Sequence, residues 1–240
     1  MGIFGRKKNK ANPPICSAVI VAAGSSTRMG ADKMMLPLGD IPVIVQTIRA
    51  VGNAPSVSEI IVVTREDMLV TVGQLCQDYS LSKVTKVIRG GASRTESVRL
   101  GTLEASREAQ VIAIHDGARP LVSTDVIETA IAQALKTGAA APAVPVKDTI
   151  KVAHGGVIES TPDRAALFAV QTPQVFEADL IRAALYKAVE ENLPITDDCS
   201  AVELLGMKVT LTQGSDENIK ITTPADLVLA EALLAWRDAK

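Results

Sequence analysis

Aromatic side chains are nearly missing from this chain, whose 240 residues include three Phe, two Tyr and one Trp. The core must be assembled mainly from Val, Ile, Leu and Ala. A basic excess is missing as well. The 25 Lys and Arg are offset by 27 Asp and Glu, and a net charge of -2 argues against a nucleic-acid surface. Only two histidines occur, His115 and His154, and the three cysteines Cys16, Cys76 and Cys199 share no metal or redox spacing, which excludes a zinc site. That cysteine usage fits a soluble protein of a reducing cytoplasm. No apolar run approaches the ~20 residues that span a bilayer. Neither a Walker A ending nor a Gly-x-Gly-x-x-Gly fingerprint is present.

Residues 1–14 contain the basic run Arg6-Lys7-Lys8-Asn9-Lys10 and no apolar stretch, so they read as a disordered leader rather than a signal peptide. Residues 15–240 fit one domain. Apolar runs at Ser17–Ala22, Glu59–Thr64, Lys83–Ile88, Gln110–His115 and Ala139–Val144 alternate with helical patterns at Val43–Val51, Met68–Tyr79, Arg94–Arg107 and Asp125–Thr137. This rhythm predicts an α/β fold of Rossmann-like type, a mostly parallel twisted sheet flanked by helices, with ligands beyond the carboxyl ends of the strands. Between about 145 and 170 the rhythm changes to hairpin grammar. Lys147–Val152 alternates, His154-Gly155-Gly156 turns, and Val157–Ser160 resumes as an extended run. A two-stranded arm is marginal alone, so it predicts packing against a second copy, as a homodimer. Helical periodicity returns at Ala178–Glu190 and, after Pro224, at Ala225–Arg237.

Three loops at predicted strand ends carry the chemistry. Ala22-Ala23-Gly24-Ser25-Ser26 leaves backbone N–H groups uncovered, and Arg28 and Lys33 follow closely. Exposed amides with two cations describe a cradle for a triphosphate. Gly90-Gly91-Ala92-Ser93-Arg94 enters a helix whose amides suit a phosphate or a base carbonyl, with Ser93 and Glu96 set as a capping box and Ser97 free to face the pocket. His115-Asp116-Gly117-Ala118-Arg119 ends a strand with an acid and a cation. A carboxylate beside a triphosphate repels it unless a divalent metal lies between, so Asp116 is a candidate for the Mg²⁺ side and Arg119 for a second anionic substrate. His115 reads as a structural histidine. Further on, Lys220 lies between Ile219 and Ile221; in a strand it would point away from their face, toward an anionic pocket.

In this order, Ala22-Ala23-Gly24 with Arg28-Met29-Gly30, Gly91 with Arg94 and Ser97, His115-Asp116-Gly117-Ala118-Arg119-Pro120, Val146-Lys147-Asp148-Thr149, Gln171-Thr172-Pro173-Gln174, Thr196-Asp197-Asp198 and Asn218-Ile219-Lys220-Ile221-Thr222 closely resemble the 2-C-methyl-D-erythritol 4-phosphate cytidylyltransferases of the non-mevalonate isoprenoid pathway. The resemblance runs from about Cys16 to Trp236. It implies transfer of CMP from CTP to a sugar-alcohol phosphate with release of pyrophosphate, assisted by Mg²⁺. It assigns Ala22, Ala23, Gly24, Arg28 and Lys33 to the triphosphate, and Gly91, Arg94 and Ser97 to the nucleotide side. Asp116, Gly117, Arg119, Thr172 and Lys220 fall on the acceptor side. Thr149 and Arg164, on the arm, would reach the other subunit's site. Arg28, Lys33, Arg164 and Lys220 carry the catalytic roles.

Met34-Met35 and Ala92 depart from the family's usual residues, as does Gly117, where Ala is frequent. Ribitol-5-phosphate cytidylyltransferases share the loop, the arm and the C-terminal lysine and stand as the nearest alternative. A non-catalytic CTP-binding protein is the other.

Overall fold

The computed structural model describes residues 16–24 and 32–239. The first seven-residue strand, β1 (Cys16–Ala22), is apolar throughout except Ser17 and lies at the centre of the sheet. A short hairpin, β2 (Pro37–Leu38) and β3 (Ile41–Pro42), leads into α1 (Val43–Gly52). The next units are β4 (Val57–Thr64), α2 (Leu69–Asp78), β5 (Val84–Arg89), α3 (Arg94–Glu104), β6 (Val111–Asp116), α4 (Thr124–Thr137) and β7 (Ala139–Pro145). Strands β6, β1, β4 and β5 are neighbours in that order and run parallel. The carboxyl ends of β1, β5 and β6 therefore share one rim, where the three loops emerge. The predicted βαβ units are all present, with ends that coincide or shift by at most three residues.

The arm forms as β8 (Val152–His154) and β9 (Val157–Ser160), an antiparallel pair. Gly155 and Gly156 both hold positive φ, 55° and 81°, the geometry that the tight turn between two twisted strands requires. The first strand is shorter than the alternation from Lys147 suggests.

Beyond the arm the sheet turns antiparallel. The segments β10 (Phe168–Val170) and β11 (Gln174–Glu177) run along one edge of β7, and β12 (Thr210–Gln213) joins its other edge in parallel. β11 is inserted between β7 and β6, antiparallel to both. Helices α5 (Ala178–Glu190), α6 (Asp198–Glu203) and α7 (Pro224–Asp238) complete the chain.

Val, Ile, Leu and Ala fill both faces, as the scarcity of aromatics requires. One cluster packs α1 and α4 beneath β1, β4 and β6; the other sets Val98 of α3 and Ile181 and Leu185 of α5 against Val19, Ile61, Ile112 and Phe176. Gly101 of α3 fits directly over β1, where a Cβ would run into Val19 and Val63. Helix ends follow local chemistry. Ser123 caps α4, which closes on Gly138 at φ 82°, while Thr223 and Asp226 form a capping box with Pro224 at the start of α7. Among the described residues no helix is long and apolar enough to cross a membrane.

Candidate active site

A cavity of about 410 Å³ opens at this rim, lined by Ala22, Ala23, Gly24 and Lys33 from the first loop, Gly91, Arg94 and Ser97 from the second, and Asp116 and Lys220. Backbone contacts set the loops against one another. The Gly117 N–H donates to the Val21 carbonyl (2.9 Å), and the Ile221 N–H donates to the Ala118 carbonyl (2.8 Å). The second loop can lie close to the first because Gly90 has no side chain; a Cβ there would stand 2.6 Å from that of Ala23. Ser97 is buried, its hydroxyl accepting from the Gly91 N–H (3.1 Å) and donating to the Ser93 carbonyl (2.8 Å). Ser93 caps α3 as expected, but the Glu96 carboxylate accepts from Ala92 rather than closing the box on Ser93.

Lys33 reaches across the cavity mouth to donate to the Ile221 carbonyl at 3.3 Å, joining segments 188 positions apart. Lys220 meets Asp116 at 2.7 Å. The expected strand around Lys220 does not form, because β12 ends at Gln213 and the following loop is pinned elsewhere. Asn218 donates to the Thr172 carbonyl (2.9 Å) and to Gln171 (3.2 Å), and Arg119 donates to the Asn218 carbonyl (2.6 Å). Ile219 and Ile221 pack under α7, so the lysine between them turns the other way, into the site.

Asp116 is the electrostatic centre. Burial alone would raise its pKa, but Lys220 at 2.7 Å, Arg94 at 3.5 Å and Arg119 at 3.9 Å hold it down at about 2. It is an anion at any neutral pH. Asp116, the acid expected on the metal side, is paired here with the protein's own cations, and among the described residues no three His, Cys, Asp or Glu side chains gather to hold an ion. His115 behind it is fully buried, and burial depresses its pKa to about 4. Its Nε2 lies 3.1 Å from the Arg119 carbonyl, which can only accept, so Nδ1 is left to accept from the Thr172 hydroxyl at 3.0 Å. The structural reading of this histidine fits that arrangement.

The other expected residues divide by position. Gly117, Arg119 and Thr172 stand behind Asp116 rather than on the cavity wall; the Thr172 hydroxyl accepts the Asp116 N–H at 3.1 Å. Arg94 lines the cavity, yet its guanidinium is committed to Asp198 by two bonds of 3.0 and 2.7 Å, so it is not a free ligand for CTP. Thr149 and Arg164 lie on the exposed arm, where Arg164 donates to the Lys147 carbonyl (2.9 Å). Arg28 lies outside the described residues. Two contributors were not read as functional. Arg65 ties the ends of the first loop, donating to the Gly24 carbonyl (3.4 Å) and to Asp32 (2.7 Å). Asp198, quoted only within a motif, is the second.

Residues 16–236 match the family model described as IspD: 2-C-methyl-D-erythritol 4-phosphate cytidylyltransferase. The chain belongs to this family. A 2-C-methyl-D-erythritol 4-phosphate cytidylyltransferase from Syntrophotalea carbinolica is 46% identical over 221 residues, covering 90% of this chain and 94% of the relative. One from Caldanaerobacter subterraneus is 47% identical over 226 residues, covering 91% and 98%. The crystal structure of 4-diphosphocytidyl-2C-methyl-D-erythritol synthase from Anaerococcus prevotii superposes with a TM-score of 0.82 at 30% identity, covering 92% of this chain and 96% of that one. The fold expected from the sequence is the one found.

Proposed function

We propose that the chain transfers CMP from CTP to 2-C-methyl-D-erythritol 4-phosphate, giving 4-diphosphocytidyl-2-C-methyl-D-erythritol and pyrophosphate. The observation that carries this reading is the convergence of Lys33, Lys220 and Asp116 with the Gly24 and Gly91 turns on one cavity. Matching relatives of the same printed activity over nine-tenths of the chain favour it over a ribitol-5-phosphate acceptor or a non-catalytic CTP binder.

The attacking group is a phosphate oxygen, already ionised at neutral pH, so the reaction needs no general base. Its difficulty is the approach of two anions and the charge that builds on the α-phosphate and the leaving pyrophosphate. Fixed cations answer both. The Ala22-Ala23-Gly24 backbone and Lys33 hold the triphosphate, with Arg28 assigned beside them. Gly91 and Ser97 bound the nucleoside end. Lys220 serves the acceptor phosphate, with Arg119 on the same side behind Asp116, while Asp116 holds Lys220 in place until that phosphate arrives. Asp116, the carboxylate on the cavity wall, would be the residue to hold Mg²⁺, which would supply further neutralisation of the phosphate charge.

Thr149 and Arg164 act across a homodimer. The arm supports this by exposing a run of apolar side chains, among them Val157 and Ile158 at 69% and 60%, which a second copy would cover. The protein would work in the cytoplasm.

Pyrophosphate release from CTP is expected with 2-C-methyl-D-erythritol 4-phosphate and not with ribitol 5-phosphate; the reverse preference would overturn the assignment. Lys33→Ala should lower kcat/KM by about 10²–10³-fold with an unchanged melting temperature, the size seen when one charge-stabilising donor is removed. Light scattering tests the dimer: a fully active monomer would rule out Arg164 acting in trans.

A further inference from the structure

Asp198 opens α6 with its side chain wholly shut off from solvent, and it does not line the cavity. Its place is set from the sheet. Gln174 on β11 accepts the N–H groups of both Asp198 and Cys199 through one oxygen, each at 3.0 Å, and donates to Asp197 at 2.8 Å. Gln174 pairs in register with Ile114 on β6, two residues before Asp116. The two acids are therefore fixed relative to each other by backbone pairing, and Arg94 spans the gap between them.

The span is unequal. Arg94 Nη2 is 2.7 Å from Asp198 and 3.5 Å from Asp116, while Lys220 holds Asp116 at 2.7 Å. A planar guanidinium fork paired on two bonds has little freedom to turn. Asp198 thus keeps Arg94 from closing on Asp116 and displacing Lys220. A buried ion pair adds little net stability, because desolvation offsets most of the attraction, and its best-attested use is geometric.

We infer that Asp198 is a positioning residue for the acceptor side of the reaction, acting through Arg94 to keep Asp116 paired with Lys220; the inference rests on the acceptor-side reading given above. Asp198 itself touches no substrate. Its effect appears in how the acceptor phosphate is received, not in how CTP is held.

The test is steady-state kinetics of pyrophosphate release on the full chain, varying each substrate in turn, for wild type, Asp198→Asn and the charge-neutral pair Asp198→Asn with Arg94→Met. Asp198→Asn should raise the KM for 2-C-methyl-D-erythritol 4-phosphate by about tenfold or more while the KM for CTP stays within about twofold, and the double variant, with no arginine left to displace Lys220, should bring the acceptor KM back toward wild type. A purely structural pair would instead lower kcat through loss of folded enzyme and leave both KM values alone. An acceptor KM that stays as high in the double variant as in Asp198→Asn, or equal rises in both KM values, would overturn the inference. Should the double variant not fold, the KM split in Asp198→Asn alone decides. A wild-type enzyme inactive on this acceptor would defeat the functional reading; an active wild type matched by Asp198→Asn would defeat only the positioning role.

Discussion

Two ion pairs in this molecule have the same length and opposite surroundings. Arg94 meets Asp198 at 2.7 Å beneath the active-site rim, and Lys147 meets Asp216 at 2.7 Å at the base of the arm. The Asp198 side chain has no exposure, whereas Lys147 and Asp216 expose 73% and 64%. Distance does not rank them; surroundings do. Breaking a buried pair strands a charge, which is costly, while an exposed pair exchanges one set of water contacts for another.

The largest effect expected from this contrast is at Arg94. Arg94→Met would leave the Asp198 carboxylate buried with no cation beside it, and should cost about 3 kcal/mol in denaturant unfolding at neutral pH, the lower end for broken buried pairs because the arginine is one-third exposed. Burial, the first influence on Asp198, raises its pKa, with Arg94 opposing. Without Arg94 the carboxyl can take up a proton as pH falls, so the loss should shrink toward pH 5. A loss of the same size at both pH values would mean that cavity formation, not stranded charge, is the cause.

The second comparison is between His115 and the exposed His154, which lies 3.0 Å from Glu159 on the arm. Burial holds the folded His115 near 4, below its ordinary 6.5. The unfolded chain therefore binds a proton first as pH falls. The stabilisation is complete above about pH 6.5 and is lost on the way down to about pH 4, and at about 1.4 kcal/mol per pH unit it amounts to about 3 kcal/mol. Asp116, held at about 2, adds its own loss only below pH 3.8. Unfolding free energies measured between pH 7.5 and 4 should show this slope, and His115→Gln should flatten it. An unchanged slope in that variant would place the titrating group elsewhere.

The same division between regions governs what could be read from the chain. β1, β6 and the Ile60–Val63 stretch of β4 are buried on both faces, so each carries a largely continuous apolar run between turn signals, and the parallel half of the sheet follows from pattern alone. β11 spans four residues, Gln174–Glu177, directly after a proline, and too short a period cannot announce a central strand. Ser93 and Thr223 are caps because their signal is local. Arg94 and Asp198 are 104 positions apart, and nothing local says that the helix-start arginine already has a partner. Asp116 reads as a metal-side acid when only its loop is considered. Its pairing with Lys220 and Arg94 is not legible there, because both are brought to it by β6, β11 and the pinned loop before α7.

The smallest effect belongs to the arm. A double-mutant cycle of Lys147→Met and Asp216→Asn should give a coupling of about 0.5 kcal/mol or less, screened further by added salt. Each side chain is mostly solvated in the single chain, so neither substitution strands a buried charge. The measurement also bears on the proposed dimer, since covering the arm with a second copy would withdraw water from this pair. A coupling above about 1 kcal/mol that fell on dilution would move Lys147 and Asp216 from the exposed class toward that of Arg94 and Asp198, with the second subunit supplying the burial.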